Sequence, residues 1–258
     1  ISAYSVAPNQ STIVFEGNRG GRTGIFYVNP AHLTQIAQVN GDITGAAITS
    51  STVGLPPGLG GSNTGTEVAY DVGIPGGATE SVGIYVAGVP PASPPTPQFV
   101  ASIERVLGFS PDDSKLLYTN EPLGATQSSQ VFEIASAAGN SGTQLGNGDR
   151  GWYDSGGNIV LIAQSLASGG ATLSSNTRPF GSPSPLTPNG TAAFDVDVSG
   201  VAQAVTIYGQ VANNGSAPAN VSLQLYDVAS SNTHPITLKS GAASPVDLTT
   251  YASKVVSK

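Results

Sequence analysis

The sequence predicts an all-β protein: an array of about four repeating strand–turn–strand units, followed by a short β-sandwich. Three observations carry that reading. Short β-branched and aromatic runs recur along the 258 residues, and such residues suit a pleated, half-buried surface. Gly, Pro, Asn and Ser separate the runs and supply turns; 33 Gly and 19 Pro make turn formers abundant throughout. Helical periodicity is nearly absent, and its best candidate, Pro30 to Ala37, is short.

The strand runs come in order. Ile13-Val14-Phe15 and Ile25-Phe26-Tyr27-Val28 open the chain. Val68-Ala69-Tyr70, Ile84-Tyr85-Val86, Leu116-Leu117-Tyr118, Val131-Phe132-Glu133-Ile134 and Ile159-Val160-Leu161-Ile162 follow. They repeat. Val6-Ala7-Pro8-Asn9-Gln10-Ser11-Thr12-Ile13-Val14-Phe15 aligns without a gap on Phe109-Ser110-Pro111-Asp112-Asp113-Ser114-Lys115-Leu116-Leu117-Tyr118. Each has an apolar residue, a small residue, proline, a polar turn and an apolar run. Trp152-Tyr153-Asp154-Ser155-Gly156-Gly157-Asn158-Ile159-Val160-Leu161 fits the same frame, 43 residues after Phe109. A second unit ends at Val68-Ala69-Tyr70, with a Gly/Pro loop, Leu55 to Gly65, inserted before it. A second strand follows in the first three units, at Gly24 to Val28, Gly83 to Val86 and Gln130 to Ile134. A unit of about 40–50 residues is the period of a β-propeller blade.

Phe109 to Tyr118 resembles the repeat of TolB-like and WD40-like (PD40-type) propellers, and Phe15 to Val28 resembles the segment that follows it in such blades. The resemblance covers residues 1–184. It implies a propeller fold and, for a TolB-like member, a periplasmic or secreted protein that binds a protein partner. Four units are fewer than the six or seven usual in such rings. A small four-bladed ring, an open array and a ring degraded by insertions all fit.

A second region begins after the stretch Arg178 to Pro185, which with its neighbour Pro188 is proline-rich and reads as a stiff linker. Phe194-Asp195-Val196-Asp197-Val198 alternates apolar and acidic residues, as a half-buried strand does. Val205, Ile207, Gly209 and Val211 share one face, and Val221, Leu223 and Leu225 repeat the pattern after a turn. Val211 to Leu223 resembles the central hairpin of CARDB-type, immunoglobulin-like modules. The expected organisation is therefore 1–184, a propeller-like β-repeat domain, and 185–258, an immunoglobulin-like β-sandwich domain. The second is short, since such a sandwich usually needs about 100 residues.

Composition narrows the function classes. Charged residues make up 10% and hydrophobic residues 39%, enough for a core. Sixteen acids against nine Lys and Arg give −7, the wrong sign for nucleic acid or a polybasic membrane patch. Zero Cys removes disulfides, thiol nucleophiles and Cys-ligated metals. No apolar run is long enough to span a bilayer. The chain starts with Ile1 and lacks Met, as does a mature protein cut from a secretory precursor or a chain trimmed to its ordered part. The expected location is extracellular or at the cell surface, reached through a cleaved signal sequence. Asn9, Asn189, Asn214 and Asn220 open Asn-x-Ser/Thr triplets and are the glycosylation candidates.

Candidate chemistry is sparse. His32 and His234 stand without a serine elbow that would make either a proton acceptor. Asp112 and Asp113, Asp195 and Asp197, and Glu16, Glu121 and Glu133 are the carboxylates that a glycoside-cleaving pair would draw on. Asp112-Asp113 sits in the repeat's turn, where aspartate caps local N–H groups. Asp149 to Asp154 is too sparse for a calcium loop. Arg19-Gly20-Gly21-Arg22 suits an anion but also makes a plain hairpin turn, the favoured reading. Tyr4, Trp152 and Tyr153 offer faces for sugar stacking, although the alignment puts Trp152 opposite Phe109, in the core. The reading is a protein with no catalytic residues, no cofactor and no metal. Its expected role is that of a surface structural subunit that assembles with copies of itself by strand pairing, Ile1 to Phe15 and Val246 to Lys258 being the candidate exchanged strands. Other surface proteins or glycans are further expected partners. The alternatives are a TolB-like propeller that binds a protein, and a protein that binds carbohydrate or processes glycosides.

Overall fold

The computed structural model describes residues 3–7, 9–19, 22–39, 58–72, 83–91, 97–101, 104–120, 129–137, 141–154, 156–166, 171–187, 191–198, 205–212, 221–227 and 232–236, the last four segments as backbone. The chain divides into two compact units, Ile1–Gly151 and Trp152–Lys258.

The first unit is built from three antiparallel four-stranded sheets, each in simple up-and-down order. The first holds β1 (Ala3–Val6), β2 (Ile13–Arg19), β3 (Arg22–Val28) and β4 (Ile36–Gln38). The second holds β5 (Leu59–Gly61), β6 (Glu67–Val72), β7 (Gly83–Gly88) and β8 (Gln98–Ala101). The third holds β9 (Glu104–Phe109), β10 (Lys115–Asn120), β11 (Gln130–Ala135) and β12 (Thr143–Asn147). These are successive blades, and the propeller-like repeat array expected from the sequence is present.

Burial explains why the inner strands lack clean alternation. Val14, Ile25 and Val39 of the first blade pack with Val68, Tyr70, Ala87 and Val89 of the second. The second blade's other face, with Ala69, Ile84, Val86 and Val100, packs on Val106, Leu116, Tyr118 and Ile134 of the third. A sheet covered on both faces needs apolar residues at consecutive positions, as in Val68-Ala69-Tyr70. Each blade also carries an aromatic cross-strand pair: Phe15 on Phe26, Tyr70 on Tyr85 and Tyr118 on Phe132, with ring centroids 5.7, 5.9 and 5.1 Å apart. Such pairs add about 0.5–1.5 kcal/mol beyond the area they bury.

Two expectations change in this unit. The Pro30 to Ala37 helix is only a 3-10 turn, Pro30–His32, capped by Asn29, whose Oδ1 accepts from the Ala31 N–H at 2.8 Å. No apolar helical stripe follows it, and Ile36 instead pairs with Val28 as a strand residue. Nor does the described part of Ile1 to Phe15 leave its own blade. Its β1 pairs within its own blade, from Ala3 with Glu16 to Val6 with Ile13. A self-assembling filament built on that exchange is not supported. Val246 to Lys258 lies outside the described residues.

A single eight-stranded sheet runs from β13 to β20. Its strands are β13 (Arg150–Tyr153), β14 (Ile159–Ser165), β15 (Ala171–Thr177), β16 (Ser184–Pro185), β17 (Thr191–Val198), β18 (Val205–Ala212), β19 (Val221–Asp227) and β20 (Asn232–Ile236). Strands β13 to β15 are the fourth repeat unit. Leu161, Ala163, Ala171 and Leu173 form its core, with Trp152, Ile159 and Leu186 packed partly against them. The proline-rich stretch is no free linker, because β16 pairs with β15 and the Leu186 N–H donates to Leu173 O at 2.8 Å. The strand β17 joins β15 through one bridge, Ala171 with Ala193, and β17 to β20 continue as a meander. The predicted pairing of the two alternating strands is observed, with Ile207 opposite Leu225 and Val211 opposite Val221. The described residues of this region form one sheet. The second, facing sheet that an immunoglobulin-like sandwich needs is not among them.

Candidate functional site

Each repeat unit closes its first hairpin with the same backbone ring. The N–H of Ala7 donates to Thr12 O at 2.9 Å; Ser62 donates likewise to Glu67, Ser110 to Lys115 and Asp154 to Ile159. Inside the ring, the N–H groups of Gln10, Gly65, Asp113 and Gly157 donate to the carbonyls of Ala7, Ser62, Ser110 and Asp154. Those four residues have φ of 57°, 70°, 61° and 69°, so a left-handed residue stands at the same place in every ring. Glycine adopts that conformation freely, whereas Gln10 and Asp113 do so against a steric cost of about 1–2 kcal/mol.

At Asp113 that cost is offset by lateral bonds. Its Oδ1 accepts from the Asn63 N–H at 2.6 Å and from Asn63 Nδ2 at 2.9 Å. Its Oδ2 accepts from the Thr64 N–H at 2.9 Å and the Thr64 hydroxyl at 2.8 Å. One carboxylate of the third blade thus takes four donors from the second blade's hairpin. Asn63 Nδ2 also donates to Ser110 O at 2.7 Å. The joint continues to the first blade. Asn9 Nδ2 donates to Thr64 O at 2.7 Å, and the Thr12 hydroxyl to Gly65 O at 2.8 Å. Three hairpins are bolted edge to edge into a ledge, and its outer side chains, Asn9, Gln10, Ser11, Thr64, Thr66, Asp112 and Ser114, are exposed.

Electrostatics follow from these bonds. Burial opposes ionisation of Asp113, but the N–H groups of Thr64 and Asn63 and their side chains outweigh it and hold the carboxyl below its usual range. Asp112, though exposed, folds over its own loop. It accepts from the Ser110 hydroxyl at 2.6 Å and the Ser114 hydroxyl at 2.8 Å, and its pKa falls to about 2. Glu67 is pushed up, first by burial and then by the negative charge of Asp113. In the fourth unit, Asp154 accepts from the N–H groups of Gly156, Asn158 and Ile159.

The other sequence candidates fall as follows. Asp112 caps its turn, as expected. Asp113 does more, since it joins two blades. Arg19 pairs with Arg22 across the β2–β3 hairpin, which fits the turn reading. Glu16 and Glu133 are buried within strands, and Glu121 lies outside the described residues. Asp195 and Asp197 lie on β17, and Asp197 is opposite Ile207. His32 is exposed at the end of the 3-10 turn, and His234 pairs with Leu225. Trp152 is half-buried and packs against the core of Leu161, Ala163, Ala171 and Leu173. The ring starts at Asp154, the counterpart of Ser110, so Tyr153 and not Trp152 matches Phe109. Of the glycosylation candidates, Asn9 is exposed but commits its Nδ2, the atom that would carry a glycan, to Thr64. Asn189, Asn214 and Asn220 lie outside the described residues.

Sequence reasoning passed over Asp71 and Arg105, both buried. Asp71 stands four residues past Glu67, as Glu16 stands four past Thr12, so ring alignment would have flagged it. Arg105 faces Thr119 in the β9–β10 register. Gly58 presses against this region. A side chain there would meet Asp71 Oδ1 at 2.5 Å and the backbone N of Val106 at 2.7 Å. Among the described residues, no group of three or more His, Asp or Glu is placed to hold a metal ion.

Solved structures share this fold. TolB from Acinetobacter baumannii matches with a TM-score of 0.55 at 13% identity, over 91% of this chain and 54% of that one. A candidate TolB from Agrobacterium tumefaciens matches with a TM-score of 0.58 at 16% identity, over 91% of this chain and 79% of that one. The β-propeller domain of the Trilobed protease from Pyrococcus furiosus, described as having an open velcro topology, matches with a TM-score of 0.56 at 10% identity, over 92% and 68%. The chain thus spans about half the length of the first of these proteins. Identities this low show a common fold, the β-propeller, and function has to be argued from the site. No family model matches the sequence, and no curated protein matches it.

Proposed function

We propose that this chain is an exported, non-catalytic propeller that recognises a protein partner through the hairpin ledge. The observation that carries this reading is the Asn63–Asp113 joint with its extension to Asn9. It fixes three exposed polar loops relative to one another on a β scaffold. Loops held by a rigid scaffold are where binding functions concentrate, and holding them in place beforehand lowers the entropy lost on association. The same bonds draw Asp112 and Asp113 into turn and joint, away from the acid–base role that a glycosidase would give them. The fold likeness to TolB supports the reading. So does the composition, with low charge and no Cys or Met.

The test uses the purified chain as bait on a native envelope and secreted-protein extract, beside the doubly substituted Thr66→Arg/Ser114→Arg chain. Both positions are exposed, and although Ser114→Arg gives up the hydroxyl bond to Asp112, the Asn63–Asp113 joint keeps all its donors, so the fold should stand, and circular dichroism checks that it does. The wild-type chain should enrich a discrete protein that the variant loses at least tenfold. Identical profiles from the two baits would refute the ledge as the binding surface. A glycan array run on the same pair tests the carbohydrate alternative.

A further inference from the structure

We draw no further inference here: the strongest candidate, the apolar outward face of the first blade, where Tyr4, Val6 and Ile36 are exposed beside the buried Phe26 and Val28, carries nothing because the structure does not show what covers it.

Discussion

The hairpins Ser110–Lys115 and Asp154–Ile159 share one backbone ring and use their carboxylates in opposite ways. In the fourth unit the acid is the first ring residue. Asp154 folds over its own loop, satisfies three N–H groups and leaves the left-handed place to Gly157. In the third unit that local task falls to Asp112, and a second acid occupies the left-handed place itself. From there Asp113 points sideways and takes four donors from the neighbouring blade. Position within the ring, not residue type, decides whether an aspartate caps a turn or joins two blades.

The sharpest way to break this contrast is to remove each acid in turn. Asp113→Ala should cost about 2–3 kcal/mol, because it strands donors of the part-buried Asn63 while keeping a strained φ. Asp113→Asn should recover only part of the loss, since an amide cannot accept at both ends. Asp154→Ala should cost less, about 1–2 kcal/mol, as expected when a local cap is lost. Urea unfolding followed by circular dichroism measures all three. Equal costs at the two positions would dismiss the distinction between cap and joint.

Acid titration is the next largest effect. Asp113 and Asp112 both have folded pKa values below the ordinary aspartate value of about 3.9. The stability they lend is therefore complete above that value and drains as pH falls through their folded values, toward about 2 for Asp112. Glu67, shifted up, works the other way and gives back some stability as pH falls through its raised value. Urea midpoints at pH 5 and pH 2.5 should differ less in Asp113→Asn than in the wild type. An unchanged difference would mean that the joint contributes nothing.

The smallest effect is a gain. Among the described residues, Gln10 adopts φ 57° without the lateral bonds that Asp113 makes, so Gln10→Gly should stabilise by about 1 kcal/mol. The same substitution logic fails at Asp113, where glycine relieves strain but removes the joint. Thermal melts of Gln10→Gly and Asp113→Gly should therefore move in opposite directions.

Much of this architecture was readable from the residues. The Val6–Phe15 and Phe109–Tyr118 frames superimpose on the observed rings, because proline, polar turn and apolar run occur there at fixed spacing. The fourth unit slipped by one place. Trp152 and Ile159 look like anchors in a hydrophobicity pattern, whereas the hydrogen-bonded ring begins at Asp154. In the second unit, Ser62 to Thr66 lacks both proline and aspartate, and only the strand after it, Val68-Ala69-Tyr70, betrayed the repeat. The joint itself was out of reach. Asn63 and Asp113 are 50 positions apart, and no local pattern announces a bond across that interval. The Arg178 to Pro188 stretch misled for a similar reason: prolines suggest stiffness, but the bonding of β16 to β15 is long-range.

The left-handed residues Gln10, Gly65, Asp113 and Gly157 lie 55, 48 and 44 positions apart, yet the ring around each is the same. Length variation is therefore absorbed elsewhere in each unit, leaving the ring constant. For engineering, the ring is the part of each unit to leave untouched, and a graft of one unit onto another should keep its first and last residues, such as Ser110 and Lys115, in register.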